Sequence, residues 1–193
     1  MGDLDVNVLL DTNILIHREA ATVVRDDIGV LFNWLDRLGH AKCVHPASLL
    51  EIELHADASV RRSFRAQLAS YVQLVTTAPM ADPVAALSRQ VDRDDRDRRD
   101  TQILNEIHAG RAEALITEDR GIGRKAAALG ISDRVFTIDG YLEKVTAENP
   151  SLVEYGVPSV RRSVFGDIDL SASFFDSLRD DYPGFDGWFT RKS

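Results

Sequence analysis

Residues 6–17 read VNVLLDTNILIH, Val6 to His17, and the fold turns on how that stretch is taken. Val6, Val8, Leu9 and Leu10 make an apolar run too short for an amphipathic helix and favouring β-branched residues. Residues 6–10 are therefore expected to form a strand buried on both faces. The run ends at Asp11, with Thr12 and Asn13 directly behind it. An acid at the mouth of a buried strand is costly to desolvate unless something answers its charge.

Working outward, the chain alternates between helical and strand patterns. A helical stretch follows, in which Val30, Leu31, Trp34, Leu35 and Leu38 recur at spacings of three and four until Gly39. A second apolar segment, around Cys43 to His45, leads through Pro46 and Ser48 into the helix start LLEIELHA, and a further helix is expected over roughly Val60 to Ser70. The Pro-, Ala- and charge-rich segment Thr76 to Arg99 reads as an exposed approach to the helix QILNEIHAG, which Gly110 stops. AEALIT reads as a third strand, GRKAAALG as a helix capped by Gly130, RVFTI as a fourth strand and GYLEKVTA as a closing helix. Strands separated by helices four times over imply an α/β fold, a three-layer α/β/α unit around a central, mainly parallel sheet. That domain is expected over residues 1–149. Residues 150–193, where the composition shifts and aromatic residues gather, are expected to be a C-terminal extension or linker.

The 193 residues are 44% hydrophobic, enough for one good core, and the chain has no run of about 20 uncharged apolar residues. With an acidic N-terminus in place of a signal peptide, the protein is expected to be cytoplasmic, with no membrane partner. Its one cysteine, Cys43, excludes an intramolecular disulfide and a cysteine-cluster metal site, and reads as a small core residue. The formal charge of −8 argues against indiscriminate nucleic-acid binding. It leaves room for a nuclease that gathers carboxylates around divalent cations. Two basic clusters, Arg61, Arg62 and Arg65, then Arg120, Arg124 and Lys125, are candidate phosphate contacts, or else solvated helix faces. The five histidines are scattered without ligand spacing. Phe174, Phe175, Tyr182, Phe185, Trp188 and Phe189 are expected to dock the tail on the core or on a partner, with base stacking as the alternative.

In open parallel sheets functional groups collect where the carboxyl ends of strands meet the following helices. Asp11 and Asp119 each close a strand there. Glu51 lies near the start of the helix after Pro46, and Asp100 opens DTQILNEI with Leu104 and Ile107 on its face, so that its side chain should lean inward. Asp119 and Asp100 also read as helix caps and Glu51 as a solvated helix residue. An all-oxygen acidic set suits Mg²⁺ or Mn²⁺ better than zinc, and the chemistry it suits is phosphodiester hydrolysis by an activated water. An aspartyl-phosphate phosphatase also places an Asp after its first strand, but typically has a second acid two residues on, where this chain has Asn13.

LLDTNILI, PASLLEIE, DRRDTQIL and LITEDRGIGRKAAALGISDRVFTID resemble, in order and spacing, the four motifs of the PIN domain family, over roughly residues 6–145. The resemblance implies a metal-dependent ribonuclease with Asp11, Glu51, Asp100 and Asp119 as its catalytic and metal-holding acids and Mg²⁺ or Mn²⁺ as cofactor. It places Asn13 and Thr117 at polar positions that support the acids, with Glu53 and Asp97 as nearby substitutes for the acids if its register shifts. RNA is the implied substrate. Many family members are toxins of toxin and antitoxin pairs, so an antitoxin and a homodimer are implied partners. The run SFFDSLRDDYPGFDGWFTRKS resembles the junction between a PIN-like domain and a fused acetyltransferase domain, which would make the chain the N-terminal piece of a larger protein. The competing reading is a non-catalytic PIN-like module that binds RNA or protein and regulates that attached acetyltransferase.

Overall fold

A computed structural model of the protein describes residues 6–19, 26–150, 170–171, 175–176, 179, 182 and 184–190. Five parallel strands form one sheet: β1 (Asn7–Leu10), β2 (Ala41–Val44), β3 (Val72–Gln73), β4 (Ala114–Ile116) and β5 (Val135–Phe136), in the order β3-β2-β1-β4-β5. Among the described residues the α-helices are α1 (Thr12–Glu19), α2 (Asp26–Arg37), α3 (Pro46–Glu53), α4 (Ala58–Gln67), α5 (Asp82–Val91), α6 (Asp95–His108), α7 (Arg120–Ala128), α8 (Ile138–Glu148) and α9 (Phe185–Thr190).

The central strand sorts its side chains by alternation. Val8 and Leu10 join one core with Ile14 and Leu15 of α1, Leu31, Trp34 and Leu35 of α2, Phe64 of α4 and Leu142 of α8. Leu9, paired with Cys43 and Leu115, joins a second core with Ile103, Leu104 and Ile107 of α6 and Ile122 and Ala126 of α7. Two cores on opposite faces of one sheet make the three-layer α/β/α arrangement. Val8, Leu9 and Leu10 are completely buried, each contributing about 1.5–3 kcal/mol by leaving water. The Cys43 thiol is buried here too, and loss of hydration pushes its pKa up to about 11.

Gly39, Gly110 and Gly130 close α2, α6 and α7 in the left-handed region, with φ of 67°, 72° and 70°. At Gly130 the backbone N–H of Ile131 bonds back to Ala126 and that of Gly130 to Ala127, which satisfies the last carbonyls of α7. Three features differ from the sequence pattern. Helix α1 begins immediately after Asp11. The segment expected to be an exposed approach contains α5, in which Val84, Leu87 and Val91 recur at helical spacing but only Val84 is buried. The fifth strand, β3, is two exposed residues at the sheet edge.

Backbone contacts gather the chain into two units, Met1–Val160 and Arg161–Ser193. Residues 151–169, where the expected extension begins, lie outside the described residues. Within the second unit Phe175, Phe185 and Phe189 pack on one another, with Phe175 stacked on Phe185 at 5.7 Å between ring centres. Tyr182 is exposed, while Phe174 and the Trp188 side chain lie outside the described residues. Among the described residues no helix is long and apolar enough to cross a membrane.

Candidate active site

The strand order reverses between β1 and β4: the chain leaves β1 toward β2 on one side, and later returns to β4 on the other. The crevice beyond the carboxyl ends of those two strands is the natural ligand position in an open α/β sheet. Asp11 and Asp119 stand there. The Asp11 N–H still bonds the Ile116 carbonyl at 3.1 Å, so the acid sits at the last rung of the ladder, only 3% exposed. Thr117 ties the two strand ends together. Its hydroxyl donates to Asp11 Oδ2 at 2.8 Å and accepts the Asp119 N–H at 3.0 Å.

Asp119 does two things at once. Its Oδ1 caps α7 by accepting the Gly121 N–H at 2.5 Å, a bond favoured by the helix dipole. Its Oδ2 faces Arg96 on the first turn of α6, 3.9 Å away. Asp100 is not a cap, because α6 starts earlier: Asp94 caps it by accepting the Asp97 N–H. Asp100 instead lies one turn in, half-buried, with Leu104 and Ile107 of its own face sunk in the core.

The acids lie close enough to feel one another's charge. Burial, then the charge of Asp11, and further on that of Asp119, push Asp100 up to about 7 against the pull of Lys125 and Arg96. Asp11 is raised as well. Burial dominates, the Thr117 hydroxyl and the Thr12 N–H pull it down, and the charges of Asp119 and Glu51 push it up. Glu51 of α3 thus lies within electrostatic reach of Asp11. Its substitute does not serve, since Glu53 is exposed and forms a two-pronged ion pair with Arg65. Asp97 is also occupied, its carboxylate accepting the Arg93 N–H at 2.9 Å. Asn13, on the first turn of α1, lines a small cleft with His17, Glu118 and Asp119.

The basic clusters are only partly presented. Lys125 is a correction: it is 8% exposed, and its ammonium is held by Asp92 at 2.8 Å, the Asp97 carbonyl at 2.7 Å and Thr101 at 3.0 Å. It clamps α7 to the first turn of α6 and cannot reach out to a phosphate. The signal was present, because Lys125 lies three residues after the buried Ile122 on the inward face. Arg65 is paired with Glu53, and Arg61 bonds the carbonyls of His55 and Ala56. Arg62, Arg120 and Arg124 are exposed. Two arginines absent from the sequence candidates stand at the acids: Arg96, one turn before Asp100, and Arg99, which borders a hollow with Glu51 and whose buried Nε has no hydrogen-bond partner. Both were hidden in the VDRDDRDRRD run, where only the position of Asp100 marks which residues share its face.

Among the described residues no three acids, histidines or cysteines are drawn tightly enough to hold a metal ion unaided. Mg²⁺ does not require that, since it is commonly held by one or two carboxylates with water and substrate phosphate oxygens completing the shell. The donors present are all carboxylates, and Asp11 and Asp100 are raised first by burial and further by neighbouring acids, a cost that a bound cation would lessen, so the residues fit such an ion. Models of protein families, curated proteins and solved structures, when compared with this chain, give no match.

Proposed function

We propose that this chain is a PIN-like, Mg²⁺- or Mn²⁺-dependent endoribonuclease. One observation carries the reading: Asp11 and Asp119 stand at the switch point of the sheet, tied together through Thr117, and the charges of Asp119 and Glu51 bear on Asp11 while those of Asp11 and Asp119 bear on Asp100. Crowding of this kind is costly, and it marks functional sites more often than structural ones.

Asp11, Asp100, Asp119 and Glu51 would hold the cation, which when bound supplies a water acidic enough to attack at neutral pH and a counter-charge for the phosphodiester. Thr117 fixes the Asp11 carboxylate through its hydroxyl and sets the distance between the first and fourth acid. Asp119, held by its cap, cannot rotate away from the crevice. Arg96 faces that crevice and offsets the acids toward an incoming phosphate. With an activated water attacking in line, the products carry a 5′-phosphate and a 3′-hydroxyl.

A 5′-labelled, mixed-sequence single-stranded RNA incubated in EDTA, Mg²⁺ or Mn²⁺ tests this directly. Cleavage should require metal and fall about 10²–10⁴-fold in both Asp11→Asn and Asp100→Asn. Equal cleavage by the variants would refute the assignment. Neither cleavage nor Mn²⁺ binding by calorimetry would shift the reading to the regulatory module.

A further inference from the structure

Of the three basic residues of α7, Arg120 and Arg124 are exposed, while Lys125 is turned inward beside Asp92, whose side chain is 1% exposed. A buried ion pair is a poor way to stabilise a fold, because desolvating both ions consumes most of their attraction. The inward neighbours Ile122 and Ala126 are apolar, so an apolar side chain would suit the position at less cost.

The ammonium has three protons and three acceptors: Asp92 Oδ1 at 2.8 Å, the Asp97 carbonyl at 2.7 Å and Thr101 Oγ1 at 3.0 Å. None is left for a ligand. Asp92 is held in turn, its Oδ2 accepting the Ser88 hydroxyl at 2.6 Å and its Oδ1 lying 3.1 Å from Thr101 Oγ1. Asp97 and Thr101 flank Asp100 on α6, so the ammonium grips the turn from which Asp100 projects. At its other end α7 carries Asp119, the cap of the helix. Lys125 follows Asp119 by six residues, about 9 Å of helix, and that length spaces the fourth acid from the turn that bears the third. Thr117 makes the corresponding tie between Asp11 and Asp119. The charges agree: of the two cations that draw Asp100 down, Lys125 acts more strongly than Arg96.

We propose that Lys125, locked by Asp92, is a positioning residue of the acidic site: it braces residues 97–101 of α6 against α7, so that Asp100 and Asp119 keep one separation for a shared cation. The inference rests on the endoribonuclease reading and deepens it. Lys125 touches neither the cation nor RNA and acts through the α6 backbone and the Thr101 hydroxyl. Carboxylates that repel one another need such a brace, because otherwise the metal-free site relaxes apart and each cation must gather it again. Asp92 directly follows α5, so the same pair ties that helix to the site.

The test compares wild type with Lys125→Met, the double variant Lys125→Met/Asp92→Asn and, as a control on α8, Lys144→Met, which loses only an exposed pair with Glu148. Thermal melts, amide hydrogen exchange over residues 97–101 in EDTA, Mn²⁺ affinity by calorimetry, and kcat and KM on a single-stranded RNA hexamer are measured for each. The double variant leaves no buried charge unpaired and should melt close to wild type. Its exchange at residues 97–101 should still quicken about tenfold. Its Mn²⁺ Kd should rise and its kcat fall roughly 10- to 100-fold, with KM within about threefold, the cost of losing support behind a metal ligand. Lys125→Met alone strands Asp92 and should melt lower with the same losses. Lys144→Met should change none of these. Should the double variant melt far below wild type, Thr101→Val decides, since it removes one acceptor of the ammonium at nearly constant volume and should weaken Mn²⁺ binding several-fold. Exchange, Mn²⁺ Kd and kcat unchanged in the variant that decides overturn the brace and spare the nuclease. A wild type that neither binds Mn²⁺ nor cleaves RNA overturns both.

Discussion

Helix α6 takes two carboxylates out of bulk water, Asp100 and Glu106, and surrounds them in opposite ways. Glu106 is completely buried, yet its Oε1 accepts the Ala78 N–H at 2.8 Å and the Arg111 guanidinium lies 3.3 Å from its Oε2. Asn105 beside it bonds the carbonyls of Ala78 and Pro79 and the Ala81 N–H, so this end of α6 fastens the loop that leads into α5. Asp100 is less buried, but its nearest charges include Asp11 and Asp119, and its pKa rises to about 7. One helix thus carries an acid answered by a guanidinium at 3.3 Å and an acid crowded by two other carboxylates. The first fastens a loop to the helix, and the second belongs to the proposed site.

Removing each acid should therefore do opposite damage. Glu106→Ala removes the acceptor of the Ala78 N–H and the carboxylate beside Arg111, whose side chain is 32% exposed, and the loss should be about 3 kcal/mol, the upper end for a hydrogen bond to a charged group. Urea unfolding should show that drop as a lower midpoint. Glu106→Gln keeps an acceptor for Ala78 and should lose less stability, while metal-dependent RNA cleavage stays within about threefold of wild type. If Glu106→Gln abolished cleavage while remaining folded, the division between the two acids would be wrong.

A pH titration sharpens the same contrast, because His45 and Asp100 pull stability in opposite directions. His45 is 1% exposed, accepts the Ala47 N–H on Nδ1 as the cap of α3, and stands near Glu106 and Arg111; burial, then Arg111, lowers its pKa to about 4. The unfolded chain takes up that proton below about 6.5 and the folded one does not until about 4, so His45 favours folding above 6.5 and this contribution is lost on acidification across the interval. The full interval is worth about 3 kcal/mol. His45→Asn keeps a capping side chain and removes the titration. The stability gap between wild type and this variant should move toward the variant by about that amount between pH 7 and pH 4. A constant gap would show that His45 does not stay neutral.

How much of this was legible in the sequence depended on whether a residue's face could be read from its neighbours. Asp11 was legible because an apolar run has only one end, and Asp100 because Leu104 and Ile107 fix its side of the helix. The glycines after α2, α6 and α7 marked their helix ends through a backbone conformation that other residues resist. Helix α5 and strand β3 were not legible, since one buries a single residue and the other none. Lys125 was misread because charge alone does not tell an outward residue from one drawn to a buried carboxylate, here Asp92. The Glu106 network was invisible for a related reason: its partners Ala78 and His45 are distant in sequence and contribute a backbone N–H and an edge of a ring.

The smallest effect is also the one that most cleanly separates a structural acid from a functional one. Asp100→Asn removes a charge that burial and two neighbouring acids disfavour, so in the metal-free protein it should raise stability where Glu106→Ala lowers it. A carboxyl with a raised folded pKa favours folding below its unfolded value, near 3.8, and that advantage is lost as pH rises through about 7. The gain from the substitution should therefore be largest above pH 7, about 1–3 kcal/mol after allowance for partial exposure, and should vanish near pH 4. Adding Mn²⁺ should reverse the order, because a cation that binds the folded acids stabilises wild type and finds one ligand fewer in the variant. Thermal melts at pH 7.5 and pH 4, with and without Mn²⁺, measure all four values. If the variant were less stable than wild type in EDTA at pH 7.5, Asp100 would be a compensated acid like Glu106, and the case for a site at this edge of the sheet would lose its main support.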